Sequence, residues 1–109
     1  MAEKQPHRTY DDVSRQYPEV IKALEKLGAT VRGAGPLDTK TSQLVQLAAA
    51  AAMRSEGSVH SHTHRAVKAG ASSEEIYHTL LLLISTIGFP QAMAAISWSR
   101  DVLEEQGGK

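Results

Sequence analysis

The sequence contains no cysteine, which excludes disulfides, thiolate metal sites and thiol catalysis for this chain. It also lacks any excess of charge: 12 Lys and Arg stand against 12 Asp and Glu. Without a net field to attract a polyanion, nucleic acid is not an expected partner. Long apolar runs are missing too. The longest apolar windows, 44–53 and 76–90, are too short or too interrupted by Ser, Thr, His and Gly to cross a bilayer. The first residues, Met-Ala-Glu-Lys-Gln-Pro-His-Arg, hold no apolar h-region, so no secretory signal is read and a cytoplasmic protein is expected. No stretch alternates apolar and polar residues as a strand does, and the expected fold class is all-α. At 109 residues the expectation is one domain, 1–109, with flexible tails at 1–8 and 106–109.

The helical signals follow in order. From Thr9 to Leu27 apolar residues recur at Tyr10, Val13, Tyr17, Val20, Ile21, Leu24 and Leu27. Pro18 must kink this element or open its second half, and Gly28 is read as its end. Asp38 has the character of an N-cap for a helix carrying Leu44, Val45, Leu47 and the run Ala48–Ala52. Alanines in a row leave little to fill a core and instead allow close helix approach. Ser55 or Ser58 can cap a third helix that Gly70 terminates; on it Val59, Thr63, Ala66 and Val67 share a face that takes in His62. Ser72 and Glu75 have capping-box spacing. The helix they start carries five consecutive apolar residues, Leu80 to Ile84. Such a helix is apolar all round, which predicts burial against a second subunit. Gly88-Phe-Pro breaks it, and Pro90 opens a last helix through Met93, Ile96, Trp98, Val102 and Leu103. The total is about five helices.

Chemistry concentrates at Arg54–Gly70, where Ser55 and Ser58 form S-x-x-S and His62 follows four residues after the second serine. The serines read either as plain helix caps or as hydroxyls of a site. His62 reads either as a proton-transfer group or as a buried, hydrogen-bonded histidine. His60 and His64 have the spacing of two metal ligands on one helix, but no third ligand lies at a telling distance. They are read as surface histidines, and no metal or cofactor is expected.

From Gly35 onward the chain resembles the carboxymuconolactone decarboxylase family, which includes the alkylhydroperoxidase AhpD. The resemblance rests on Gly-Pro-Leu-Asp-Thr-Lys-Thr-x-x-Leu at 35–44, on S-x-x-S-x-x-x-H, on Ala66-x-x-x-Gly70-Ala-Ser-x-Glu-Glu-Ile76, and on Gly88-x-Pro90. It implies an AhpD-like helical domain assembled as a homo-oligomer, a trimer or hexamer. In the redox-active branch two cysteines occupy the positions of Ser55 and Ser58, the histidine is His62, and a glutamate occupies the position of Gln43. A further histidine of AhpD-like members falls at Gly57. The decarboxylase branch places a glutamate where this chain has Ser58. The resemblance thus implies a family member without peroxiredoxin activity, since a serine hydroxyl cannot be oxidised to a sulfenate or form a disulfide.

Two functions are open: acid–base chemistry by His62 on a small carbonyl or lactone substrate, or a non-catalytic paralogue acting as an oligomeric ligand-binding or structural protein. In the first, Ser55, Ser58 and His62 line one concave pocket that the side chain of Gln43 reaches. Alkyl hydroperoxide supplied with a thiol reductant is expected not to be consumed above background, and saturable turnover in a peroxide-consumption assay would contradict this. Cysteines introduced by Ser55→Cys and Ser58→Cys should restore little, because Gln43 and Gly57 still lack relay groups.

Overall fold

The computed structural model describes residues 6–105. Among them are seven helices and no strand, the all-α class expected: α1 (Pro6–Gln16), α2 (Pro18–Arg32), α3 (Thr39–Ala52), α4 (Glu56–Lys68), α5 (Ser73–Leu81), α6 (Ile84–Ile87) and α7 (Phe89–Glu105). The chain divides into two compact units, residues 1–37 and 38–109. None of the helices is long and apolar enough to cross a membrane.

The first unit is a helical hairpin. Pro18 occupies the first turn of α2, where a missing N–H costs nothing and the fixed φ suits a helix start. The expected tail at 1–8 is corrected at its end, since α1 already begins at Pro6; residues 1–5 and 106–109 lie outside the described part. Gly28 does not stop the helix, as expected, but sits inside α2, which runs on to Arg32. A single glycine costs a helix only about 1 kcal/mol. The Arg32 guanidinium also lies over it, about 3.1 Å from where a β-carbon would stand. Gly33 takes the C-cap instead. The Tyr10 hydroxyl donates to the Glu25 carboxylate and so ties α1 to α2.

The second unit holds the core. Asp38 caps α3, its carboxylate accepting the Thr41 N–H at 2.8 Å. Hydrogen bonds from the Thr41 side chain and backbone hold the Asp38 carboxyl below its usual pKa. At the other end α3 turns into α4 within three residues. Arg54 adopts a left-handed backbone, φ 59°, and its N–H bonds to the Ala51 carbonyl while the Ser55 N–H bonds to that of Ala50. This is a Schellman closure with arginine where glycine is usual. Gln91, from the first turns of α7, adds a third tie by donating to the Ala52 carbonyl at 2.8 Å. α4 closes the same way around Gly70, φ 101°, with Ala71 N–H on the Ala66 carbonyl.

Ser72 and Glu75 form the capping box of α5. Glu75 also takes the Lys40 ammonium at 2.9 Å, bridging the first turns of α3 and α5. The Ser72 backbone N–H, followed by Lys40, holds the Glu75 carboxyl below the usual range. The apolar run does not form one long helix. The Leu83 N–H bonds three residues back, to Leu80, and this tightened turn separates α5 from α6. Leu80 enters the chain's own core while Leu81 and Leu82 stay exposed. Leu47, Val59, Ala66, Ile76, Leu80, Ala95 and Leu103 build that core, joined by the small side chains of Ala50 and Ala51.

One polar contact lies inside it. The hydroxyls of Thr63 (α4) and Ser99 (α7) are both fully buried and 2.7 Å apart. Thr63→Val strands the Ser99 hydroxyl and should cost about 1–3 kcal/mol in chemical denaturation. Combining it with Ser99→Ala removes both partners and should restore much of that loss; a purely additive double variant would contradict the pairing.

Candidate functional site

Two helices supply the candidate residues. On α3, Gln43, Leu47, Ala50 and Ala51 follow the i, i+4, i+7, i+8 rhythm of one buried stripe. Gln43 is the polar member of this stripe and is only 4 % exposed. A buried primary amide needs partners, and Gln43 finds one on the facing helix: its Oε1 lies 2.8 Å from Nδ1 of His62.

On α4, Ser55 is the N-cap, with its hydroxyl toward the Ser58 N–H at 3.4 Å. That length is beyond a good N–H···O bond, so the Ser58 amide is only lightly engaged. Ser55, Ser58 and His62 follow one another along one flank of the helix, beside the fully buried Val59, Thr63 and Ala66. All three flank residues are partly buried.

The chemistry of the pair follows from what an amide can do. Gln Oε1 only accepts, so the Nδ1 proton of His62 is donated to it and Nε2 is the basic nitrogen of the neutral ring. Gln43 therefore fixes the tautomer and the ring plane, as a carboxylate would. It supplies no negative charge to stabilise the imidazolium. The arrangement is a histidine oriented to take a proton at Nε2, near a helix N-terminus with its N–H groups and two hydroxyls.

Glu56, two residues before Ser58, has its Oε2 4.0 Å from Nε2 of His60. His60 Nε2 is buried and has no hydrogen-bond partner. His64 is exposed. Among the described residues no three His, Asp or Glu side chains gather as a metal site would require. A surface concavity of about 470 Å³ runs along α5, lined by Glu74, Glu75, Tyr77, His78 and Leu81. It includes none of Gln43, Ser55, Ser58 or His62. Gln91, whose amide holds the end of α3 just ahead of the motif, was not marked by any spacing in the sequence.

Comparison with known proteins gives a concordant picture. The sequence profile of the carboxymuconolactone decarboxylase family matches residues 18–101. An uncharacterized protein of Methanocaldococcus jannaschii is 30 % identical over 106 residues, covering 97 % of this chain and 99 % of its own length. An uncharacterized protein of Haemophilus influenzae is 35 % identical over 59 residues, 54 % of this chain and 52 % of that protein. Among solved structures, the apo form of a carboxymuconolactone decarboxylase family protein from Legionella pneumophila superposes with a TM-score of 0.76. It is 27 % identical, and the match covers 91 % of this chain and 88 % of that one.

The Gln43–His62 contact makes a direct prediction. Gln43→Glu places a carboxylate against Nδ1 and should raise the proton affinity of His62 by roughly tenfold or more over the wild type, followed by NMR titration of the ring. Relative to the wild type, the variant then gains stability while the ring is protonated and the new carboxylate is ionised, and this gain is lost as pH rises through the variant's raised value. An unchanged titration in the variant would show that the two side chains are not in contact in solution.

Proposed function

This chain belongs to the carboxymuconolactone decarboxylase family, and from that premise we propose that it is a redox-silent member in which His62 moves a proton on a small carbonyl or lactone substrate. The observation that carries this reading is the 2.8 Å contact between His62 Nδ1 and the buried Gln43 amide. The contact satisfies a buried and a partly buried polar group, and it also holds the ring so that Nε2 is presented in one direction, as proton transfer requires.

In this reading Nε2 of His62 removes a proton from the carbon next to the substrate carbonyl. The C–H electron pair moves into the carbonyl, and the enolate oxygen is met by the N–H groups of the first turn of α4 and by the hydroxyls of Ser55 and Ser58. The imidazolium then returns its proton to carbon or oxygen. Gln43 is a positioning residue: it holds the ring and takes no proton. No redox partner enters the cycle.

The amide also favours a second reading, ligand binding without turnover. Gln43 cannot carry the charge that a glutamate would place beside the ring, so the imidazolium formed during proton transfer is less stabilised.

One experiment separates the two. Small 2-oxo acids, β-keto acids and lactones are incubated with the protein in D2O, and exchange of the activated C–H is followed by NMR. The proton-transfer reading expects saturable exchange that falls by about 10²–10⁴-fold in His62→Asn. Saturable binding with exchange at the buffer rate selects the second reading. Exchange that survives His62→Asn unchanged overturns the assignment of His62.

A further inference from the structure

A primary amide has two hydrogen-bonding ends, and the fold occupies only one end of Gln43. Its Oε1 takes the Nδ1 proton of His62 at 2.8 Å, and both residues belong to the unit 38–109. The other end, Nε2, carries two N–H donors. Among the described residues nothing accepts from them, since the His62 contact is the only hydrogen bond of this side chain. Gln46, one turn along the same helix, shows the contrast. Its amide nitrogen is bound twice, to the Ser42 carbonyl at 3.0 Å and the Ser42 hydroxyl at 2.9 Å, although Gln46 is the less buried of the two glutamines.

Donors shut inside a protein without partners are costly, and native structures avoid them. The Gln43 nitrogen is not shut in. Among the described residues the sealed side-chain polar atom without a partner is Nε2 of His60. The Gln43 nitrogen is unpartnered but not sealed, so the 4 % of Gln43 that stays exposed takes it in. The rest of the side chain is enclosed, which fixes where the amide points. A buried arm thus presents two N–H groups at a narrow opening. They lie within about 5 Å of the His62 ring, from the bond lengths of an amide and the contact to Nδ1.

We infer that Gln43 touches the ligand as well as the histidine: while Oε1 orients His62, Nε2 donates to an acceptor oxygen of a small molecule. This assignment takes from the proposed function that a ligand lies beside His62, and adds which protein atom meets it and which ligand atom is met. With Oε1 engaged, the open end of the amide can only donate. A ligand ammonium or N–H brought there sets hydrogen against hydrogen and leaves both sides unpaired, the mismatch by which polar sites discriminate most strongly. A carbonyl or carboxylate oxygen completes the amide. The narrow opening admits a single oxygen atom rather than the face of a ring. The chain from ligand oxygen through the amide to Nδ1 is continuous, so a ligand held at one end steadies the imidazole at the other.

NMR of the Gln43 side-chain NH2, identified by its loss in Gln43→Glu, tests this directly. The probes are δ-valerolactone, which only accepts, and piperidine, protonated at neutral pH and of similar size, which only donates. In the wild type the lactone is expected to shift both Gln43 amide protons saturably, and the ammonium to leave them in place. Gln43→Glu is expected to weaken the lactone by at least about tenfold, because a carboxylate offers it no donor, and to favour the ammonium. Lactone binding that leaves the Gln43 protons unmoved overturns the assignment, while the proton-transfer reading still stands on its own exchange assay. Equal responses to the two probes overturn it, as does the absence of saturable lactone binding. Shifted Gln43 protons without C–H exchange in D2O uphold the assignment and remove proton transfer instead. If Gln43→Glu fails to fold, the two wild-type titrations still decide.

Discussion

The reversal between α3 and α4 is the constraint on which the second unit depends. Ser55 does two jobs in it: its N–H closes the end of α3 on the Ala50 carbonyl, and its hydroxyl caps the start of α4. Only Met53, Arg54 and Ser55 separate the two helices, which leaves little chain to absorb a change in crossing angle. With the turn fixed, α4 must lie along α3, and a histidine two turns into α4 comes opposite a side chain near the start of α3. The left-handed conformation at Arg54 is the local cost of this sharp reversal, on the order of 1 kcal/mol or more for a residue with a β-carbon. Gln91 from α7 reinforces the same point from outside.

Within that frame, the residues at positions 43, 55 and 58 supply an amide and two hydroxyls, all neutral groups. A hydroxyl caps a helix as well as a thiolate occupies its N-terminus, and an amide orients an imidazole as well as a carboxylate does. Serine hydroxyls at positions 55 and 58 carry no thiol redox chemistry, and the amide at position 43 orients the ring without adding charge.

Much of this was legible in the sequence where local physical chemistry decides alone. Asp38, Ser55 and Ser72 cap their helices, and Gly70 ends α4, because capping depends on a few adjacent groups. The facing of Gln43 toward His62 follows from two helical periods and a short connection. The residues whose roles were missed are those where distant packing overrides a local preference. Gly28 continues a helix because its neighbours form one and Arg32 lies across it. The break at Leu82–Leu83 has neither glycine nor proline to announce it; it appears as a tightened turn that lets Leu80 reach the core while its neighbours do not. The left-handed turn at Arg54 has no sequence signature, since arginine is not selected for that conformation.

The alanine stretch has a consequence for how the site can vary. Ala50 and Ala51 share the buried stripe that also carries Gln43, and Ala51 is fully enclosed. Where two helices meet through methyl groups, their separation is set by volume, and it can be increased by one substitution but hardly reduced. A larger side chain at position 51 would wedge the helices apart, and the imidazole would drift from its amide without any change to either residue. The floor of the helix pair therefore acts as a spacer of fixed gauge: variation among its smallest residues, remote from the hydroxyls, is a route by which the contact between His62 and Gln43 is loosened.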